Sequence, residues 1–255
     1  MRRRKTRSIK SLPQKISEIH LYKLIPSFIT ILALCLGISA VRYAMDSKWT
    51  IAAGLIIFAG FMDGIDGRLA RMLNSTSGFG AQLDSLADLV SFGVAPAIVM
   101  YFWILHEIPY KGVGWAVVLF FIICSAVRLA RFNSKIDDDE EKEKLKHFFT
   151  GVPMPSAGAL LILPLTFTFE LTDIQFSYWF IAVYQVLVGI LMISRVPTFS
   201  FKSVVVKKKY ISVVLIIAAA IMSAIVIEPW ISLPLIGLLY VMMIPISVIS
   251  YYRKY

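Results

Sequence analysis

Charged residues and cysteine are scarce in this sequence. Only 16% of the 255 residues are charged and 58% are hydrophobic, whereas soluble domains average roughly 25% charged and about 45–50% apolar residues. This composition excludes a disordered chain, which needs low hydrophobicity. The two cysteines, Cys35 and Cys124, lie in apolar runs, which excludes a disulfide-rich secreted scaffold and argues against a thiolate metal site. The composition therefore indicates a protein that crosses a membrane several times.

Long apolar segments make up most of the chain instead. A helix needs about 20 apolar residues to cross a bilayer, within a range of roughly 17–25. We predict an all-α, polytopic transmembrane helical bundle of about eight spans. The eight segments are residues 25–45, 49–71, 81–105, 113–131, 153–169, 175–194, 210–227 and 230–250.

The net charge of +10 comes from basic connectors and does not indicate a nucleic-acid surface. If the N-terminus is cytoplasmic, only Arg42, Lys48 and Lys111 fall on the outer side when connectors and helix ends are counted together. The positive-inside rule accounts for this asymmetry when the number of spans is even. We therefore expect an integral protein of the cell (inner) membrane with both termini in the cytoplasm. Its expected partners include membrane lipid and exclude nucleic acid.

Residues 1–23 form a basic segment before the first span. Apolar and polar residues recur at helical spacing over residues 8–22, which predicts an N-terminal juxtamembrane amphipathic helix on the anionic membrane surface. A cleaved signal peptide is the alternative for this segment. The acidic run at residues 137–141 is interpreted as a solvated loop or helix face, with a metal site as its alternative.

Four aspartates occur where the bilayer disfavours charge. Asp63 and Asp66 lie near the end of the second apolar segment, and Asp84 and Asp88 lie near the start of the third. Intramembrane carboxylates cost several kcal/mol each, so they usually face a cavity, a partner or an ion. Spacings of i,i+3 and i,i+4 place each pair on one helix face. Because a short loop joins the two helices, all four carboxylates are predicted to converge in one cavity at the cytoplasmic end.

Cations are needed to keep four such carboxylates ionised together, because like charges repel strongly at low dielectric. Oxygen-only ligands suit Mg²⁺, Mn²⁺ or Ca²⁺ and argue against Zn²⁺, which prefers His or Cys. Gly67, Ala70 and Gly80 leave room for a ligand beside the acids, with close helix packing as the alternative for the glycines. Arg71 has the guanidinium geometry that grips phosphate, with an orientation charge as its alternative.

Residues 63–88 resemble the signature of a known family. The sequence is similar to the CDP-alcohol phosphotransferases, integral membrane enzymes of phospholipid synthesis, in the pattern Asp63-x2-Asp66-Gly67-x2-Ala70-Arg71-x8-Gly80-x3-Asp84-x3-Asp88. The resemblance implies a six-helix catalytic core within residues 24–200, followed by two additional helices in residues 201–255. It also implies a homodimer, and transfer of a phosphatidyl group from CDP-diacylglycerol to an alcohol with release of CMP.

Roles for individual residues are implied by the same resemblance. Two divalent cations, Mg²⁺ or Mn²⁺ with Ca²⁺ as a further fit, would be held by Asp63, Asp66, Asp84 and Asp88. Asp88 would also act as general base on the attacking hydroxyl. The implied contacts to CDP-diacylglycerol are Gly67, Ala70, Arg71, Ser77, Gly80, Thr30 and Ser27. Ser27 departs from the family pattern, because relatives carry Asn at that position.

Three further stretches resemble the branch of the family that uses L-serine as the acceptor alcohol, namely residues 84–96, 128–133 and 149–155. The resemblance therefore predicts phosphatidylserine as the product. Arg128 and Arg131 are candidates for binding the serine carboxylate or the phosphates, with positive-inside anchoring as their alternative. Glycerol 3-phosphate or an inositol phosphate is the alternative acceptor.

Two functions of other classes also remain open. A cation transporter would use the carboxylates as an ion path, although transporters usually place their sites near mid-bilayer in broken helices or repeats. A non-catalytic lipid-binding scaffold is the other alternative. The last two apolar segments, within residues 210–250, carry no acid or base in their apolar runs, and we interpret them as lipid-facing packing.

Overall fold

The described part of the chain is a helical bundle with one short two-stranded ribbon. A computed structural model describes residues 24–135 apart from 74, 76 and 111, residues 148–199 apart from 172, 173 and 195, and residues 210–254. The first five helices are α1 Ile25–Met45, α2 Trp49–Met72, α3 Gly78–Asp88, α4 Ala95–Trp103 and α5 Val113–Lys135. The other five are α6 Met154–Leu161, α7 Leu163–Phe167, α8 Tyr178–Ile193, α9 Ile211–Ile227 and α10 Pro229–Lys254.

Three shorter features complete the described architecture. A π-helix, Leu89–Val94, joins α3 to α4, and a 3₁₀ turn, Leu105–Glu107, follows α4. Strand β1 (Phe148–Thr150) pairs antiparallel with strand β2 (Pro197–Phe199). The bundle is all-α apart from this ribbon, which ties the segment before α6 to the segment after α8.

Five helical segments in the described part of the chain are long and apolar enough to cross a membrane. They are Ile25–Met45, Trp49–Met72, Gly78–Trp103, Val113–Ser134 and Pro229–Val248. This confirms a helical bundle with several candidate membrane spans, whereas the predicted count of eight is not confirmed, because α8 and α9 are shorter. The predicted juxtamembrane helix and the acidic run lie outside the described residues, as does the rest of residues 136–147 between α5 and β1.

The fifth predicted span is two short helices, because Pro164 interrupts it. Proline has no N–H to donate to the carbonyl four residues back, which here belongs to Leu160. The hydroxyl of Tyr184 in α8 donates to that carbonyl instead, at 2.6 Å. A hydrocarbon interior offers no water for a freed backbone group, so this side-chain bond makes the break between α6 and α7 tolerable.

The third predicted span is also interrupted, by the π-helix that begins directly after Asp88. Short π-helical insertions are rare and often occur at functional sites. Close backbone contacts hold this one: a Cβ on Gly37 of α1 would lie 2.8 Å from the Ser91 Cα, and one on Gly158 of α6 would lie 3.0 Å from the Phe92 Cβ. Small residues allow such approach between membrane helices, so α1 and α6 clamp the π-helix in the centre of the bundle.

The last two helices differ from each other in burial. Helix α9 has no buried residue, as lipid-facing packing predicts. Helix α10 contacts α7, α9 and β2, and it buries Pro234, Ile244 and Ser247. The interpretation of both segments as lipid-facing therefore fits α9 and is incomplete for α10.

Candidate active site

Three carboxylates meet where α2 ends and α3 begins, here called the acidic end of the bundle. Asp63 and Asp66 come from α2 and Asp84 comes from α3, and one carboxylate oxygen of each lies within 4.8 Å of the others. These three residues form the acid cluster. The helical spacing within α2 and the short connection to α3 bring them together, as the sequence predicts.

Asp66 is the most deeply placed member of the acid cluster, with 3% of its surface exposed. The Thr30 hydroxyl, from α1, lies 2.5 Å from Asp66 Oδ2 and 3.0 Å from the Pro26 carbonyl oxygen. A hydroxyl donates one proton, so the two oxygens compete for it, and the bond to an ionised carboxylate is the stronger. Thr30 therefore orients Asp66 from the neighbouring helix.

A polar cavity of about 190 Å³ opens beside the acid cluster between α1, α2 and α3. Eight of the predicted site residues line it: Ser27, Thr30, Asp66, Gly67, Ala70, Ser77, Gly80 and Asp84. Sequence reasoning missed Pro26, Ser75 and Ala81, which also line it. Ser75 lies in the loop between the two halves of the motif, and the other two are apolar neighbours of predicted residues.

Two predicted glycines serve different purposes in this cavity. A Cβ on Gly67 would meet no atom within 4 Å, so this glycine keeps open space beside Asp66 and does not pack against another helix. A Cβ on Gly80 would lie 3.2 Å from the Ser77 Oγ. That oxygen accepts a hydrogen bond from the Gly80 N–H at 3.0 Å and caps the start of α3. Ser77 therefore has a structural role at the cavity wall in addition to any ligand contact.

Arg71 lies near the cavity but does not line it. Its side chain is exposed, and its Nε donates a hydrogen bond to the Gly67 carbonyl oxygen at 3.0 Å. This bond holds the guanidinium against the last turn of α2, next to the backbone that forms the cavity wall.

Asp88 lies outside the acid cluster, one helical turn beyond Asp84. Its carboxylate is within hydrogen-bonding reach of Asp63, and its Oδ1 is buried without a hydrogen-bond partner among the described residues. Buried polar atoms in proteins are nearly always paired, so an unpaired carboxylate oxygen calls for an explanation such as a ligand or ion. The predicted convergence of all four carboxylates in one cavity is therefore only partly right: Asp63, Asp66 and Asp84 cluster, Asp66 and Asp84 line the polar cavity, and Asp88 lies beside the cluster.

The two arginines at the end of α5 have different surroundings. Arg128 lies within electrostatic range of Asp88, and its Nε is buried without a hydrogen-bond partner in the described structure. Arg131 instead donates from Nη1 to the carbonyl oxygen of Ile193, the last residue of α8, at 2.7 Å. The structure therefore brings Arg128 to the acids, whereas Arg131 ties α5 to α8.

The chemistry of the acid cluster fits a hard divalent cation. Its ligand atoms are carboxylate oxygens from two helices, and no His or Cys joins them among the described residues. Oxygen-only sites suit Mg²⁺, Mn²⁺ and Ca²⁺. The acid cluster is thus compatible with metal binding, and the polar cavity beside it is compatible with a phosphate-bearing ligand.

Comparisons with known proteins find two family models along the chain. One, described as CDP-alcohol phosphatidyltransferase, matches residues 23–191, and one described as CDP-alcohol phosphatidyltransferase 2 matches residues 209–245. A protein of Mycobacterium leprae named CDP-diacylglycerol–serine O-phosphatidyltransferase is 36% identical over 93% of this chain and 78% of its own length. Proteins of the same name from Helicobacter pylori and Bacillus subtilis are 34% and 40% identical, over 76% and 57% of this chain and 79% and 77% of their own lengths.

Proposed function

The chain belongs to the CDP-alcohol phosphatidyltransferase family of phospholipid-synthesising transferases, and from this premise we propose that it transfers the phosphatidyl group of CDP-diacylglycerol to L-serine. The serine Oγ forms a bond to the lipid phosphorus while the bond from that phosphorus to CMP breaks. The products are phosphatidylserine and CMP. The observation that carries this proposal is the acid cluster beside a polar cavity, with Asp88, whose Oδ1 is buried, within reach of Asp63 in that cluster. The names of the relatives support serine as the acceptor.

In this proposal the acid cluster holds two divalent cations, Mg²⁺ or Mn²⁺ with Ca²⁺ as a further fit, and Asp88 contributes to the same centre. When bound, the cations neutralise the pyrophosphate and stabilise the leaving CMP. Thr30 keeps the Asp66 carboxylate turned towards the other two acids by donating to one of its oxygens. A fixed carboxylate needs no reorganisation during the reaction, which is how preorganised charge assists catalysis.

We assign the polar cavity to the CDP moiety of the substrate. Gly67, Ala70 and Gly80 leave the α2 and α3 walls free of large side chains, so a nucleotide can approach the backbone. Ser27, Ser75 and the remaining lone pair of the Ser77 Oγ supply hydrogen-bonding groups there. The remaining guanidinium donors of Arg71 are close enough to the cavity wall to contact a phosphate. The planar fork of these donors matches the geometry of phosphate oxygens.

We assign the removal of the serine proton to Asp88. Its unpaired Oδ1 can accept a hydrogen bond from the acceptor hydroxyl and then its proton, a contribution of about 10²–10⁴-fold in general base catalysis. Arg128, which lies beside Asp88, is placed to bind the carboxylate of the same serine. Binding both ends of the acceptor orients the attacking oxygen, and orientation is a large part of phosphoryl-transfer catalysis.

The acidic end is proposed to face the cytoplasm. The basic residues of the connectors favour this orientation, and both CDP and serine are water-soluble groups that would enter from an aqueous compartment. The acyl chains of the lipid substrate would remain in the bilayer, so the reaction takes place at the membrane surface.

The acceptor is tested with purified full-length protein in lipid vesicles that contain CDP-diacylglycerol and Mn²⁺. Release of CMP is measured with serine, glycerol 3-phosphate and inositol as separate acceptors. We expect rapid release with serine only. Faster release with either other compound would overturn the serine assignment, and release with none of the three would overturn the proposed function.

A further inference from the structure

The last helix, α10, turns polar groups into the bundle. Tyr240 and Ser247 are seven residues apart and therefore lie on the same face. Ser247 is fully buried, and the hydroxyl oxygen of Tyr240 is also buried. Polar groups in membrane helices usually face a partner or a cavity. This face of α10 is therefore directed at something other than lipid.

Tyr240 lines a second cavity, whose wall includes residues about one helical turn from Asp63 and Asp88. This second cavity is apolar, has a volume of about 260 Å³ and lies between α2, the α6–α7 pair and α10. Gly60 and Phe92 line it together with Tyr240. Gly60 is three residues before Asp63, and Phe92 is four residues after Asp88, so both walls reach the acids within about one turn.

Arg128 connects Tyr240 to the proposed catalytic centre. The Arg128 guanidinium lies within electrostatic range of both the Asp88 carboxylate and the Tyr240 hydroxyl. An arginine offers only donors, whereas a phenol oxygen can accept. A long arginine side chain loses considerable rotamer entropy when it is held in one position, so a fixed acceptor beside it favours one orientation.

We propose that Tyr240 is a positioning residue, whose hydroxyl oxygen accepts a hydrogen bond from Arg128 and holds that guanidinium beside Asp88 when the acceptor serine is bound. The inference rests on the proposed function, since it assigns Arg128 to the serine carboxylate. It makes α10 part of the active site, although α10 lies outside the six-helix core. The second family model covers residues 209–245, which include Tyr240.

The test compares Tyr240→Phe in the wild-type and Arg128→Lys backgrounds. Phenylalanine keeps the ring in the apolar cavity and removes only the oxygen. Losing one hydrogen bond to a charged group is expected to raise the KM for serine about tenfold, with the KM for CDP-diacylglycerol unchanged. Lysine lacks the planar fork of arginine and so cannot make the same bond to the Tyr240 oxygen. In the Arg128→Lys background, Tyr240→Phe is therefore expected to change the serine KM less than about twofold. Such a difference between the two backgrounds is the non-additivity expected of two residues that act together.

Tyr184→Phe is the matched control, because it removes another phenol oxygen that is hydrogen-bonded to a backbone carbonyl and not assigned to Arg128. That hydroxyl donates to the Leu160 carbonyl, so its loss is expected to lower the melting temperature and leave the serine KM unchanged. An unchanged serine KM in Tyr240→Phe, or an equal rise in both backgrounds, would overturn the positioning role while the proposed function stands. A wild-type protein that releases no CMP with serine would overturn both the positioning role of Tyr240 and the proposed function.

Discussion

Replacing Asp88 by Asn is expected to lower kcat for serine-dependent CMP release by about 10²–10⁴-fold, the usual contribution of a general base. Asparagine has nearly the same shape but cannot take a proton from the hydroxyl. Because Asp88 lies beside the like charges of the acid cluster, its neutralisation relieves repulsion in the metal-free protein. The melting temperature is therefore expected to stay the same or to rise, which separates a catalytic loss from a folding defect.

The control for this variant is Asp46→Asn, which makes the same chemical change in the exposed turn between α1 and α2, away from the acid cluster. We expect wild-type kinetics from it. Binding of CMP, measured by equilibrium dialysis, should be preserved in Asp88→Asn, since the polar cavity is unaltered. A kcat near the wild-type value in Asp88→Asn would remove the base assignment.

Replacing Gly67 by Leu is expected to lower kcat/KM for CDP-diacylglycerol by about a hundredfold. The reason is that the new side chain would displace the bound substrate, and a displacement of about 1 Å can have an effect of that size. The new side chain would enter the open space that lines the polar cavity, where no atom lies within 4 Å of the ideal Cβ. Folding should be little affected, because the side chain meets no neighbouring helix. The reduction is measured with saturating serine in the vesicle assay.

Gly64→Leu provides a matched control on the same helix. A Cβ on Gly64 also meets no atom within 4 Å, but Gly64 does not line the polar cavity. Both substitutions change helix propensity in the same way, so only the position of the added side chain differs. Equal losses in the two variants would show that the effect arises in the helix and not in the cavity.

Much of the site was predictable because it depends on local geometry. The i,i+3 spacing of Asp63 and Asp66 and the short connection to α3 are sufficient to place Asp84 beside them, and the structure confirms that convergence. The bounds of α1 and α2 were also predictable to within one residue, since a polar turn at residues 46–48 separates two long, largely apolar segments.

Features that depend on contacts between distant segments were not predictable from the pattern alone. A proline in an apolar run, such as Pro164, gives no indication of whether a hydroxyl from another helix will satisfy the freed carbonyl. Arg128 and Arg131 look equivalent in sequence, yet only the packing of α8 against α5 engages the second with the Ile193 carbonyl. Tyr240 reads as one more apolar residue until α10 is packed against the bundle.

Direct binding of Mn²⁺ tests the central claim, that intramembrane carboxylates from α2 and α3 form one metal centre. The measurement is a titration of the purified full-length protein followed by electron paramagnetic resonance, which reports free and bound ion without any turnover. We predict two bound ions per chain, and a loss of that binding in Asp84→Asn but not in Asp46→Asn. Absence of bound Mn²⁺, or equal binding in both variants, would contradict the account.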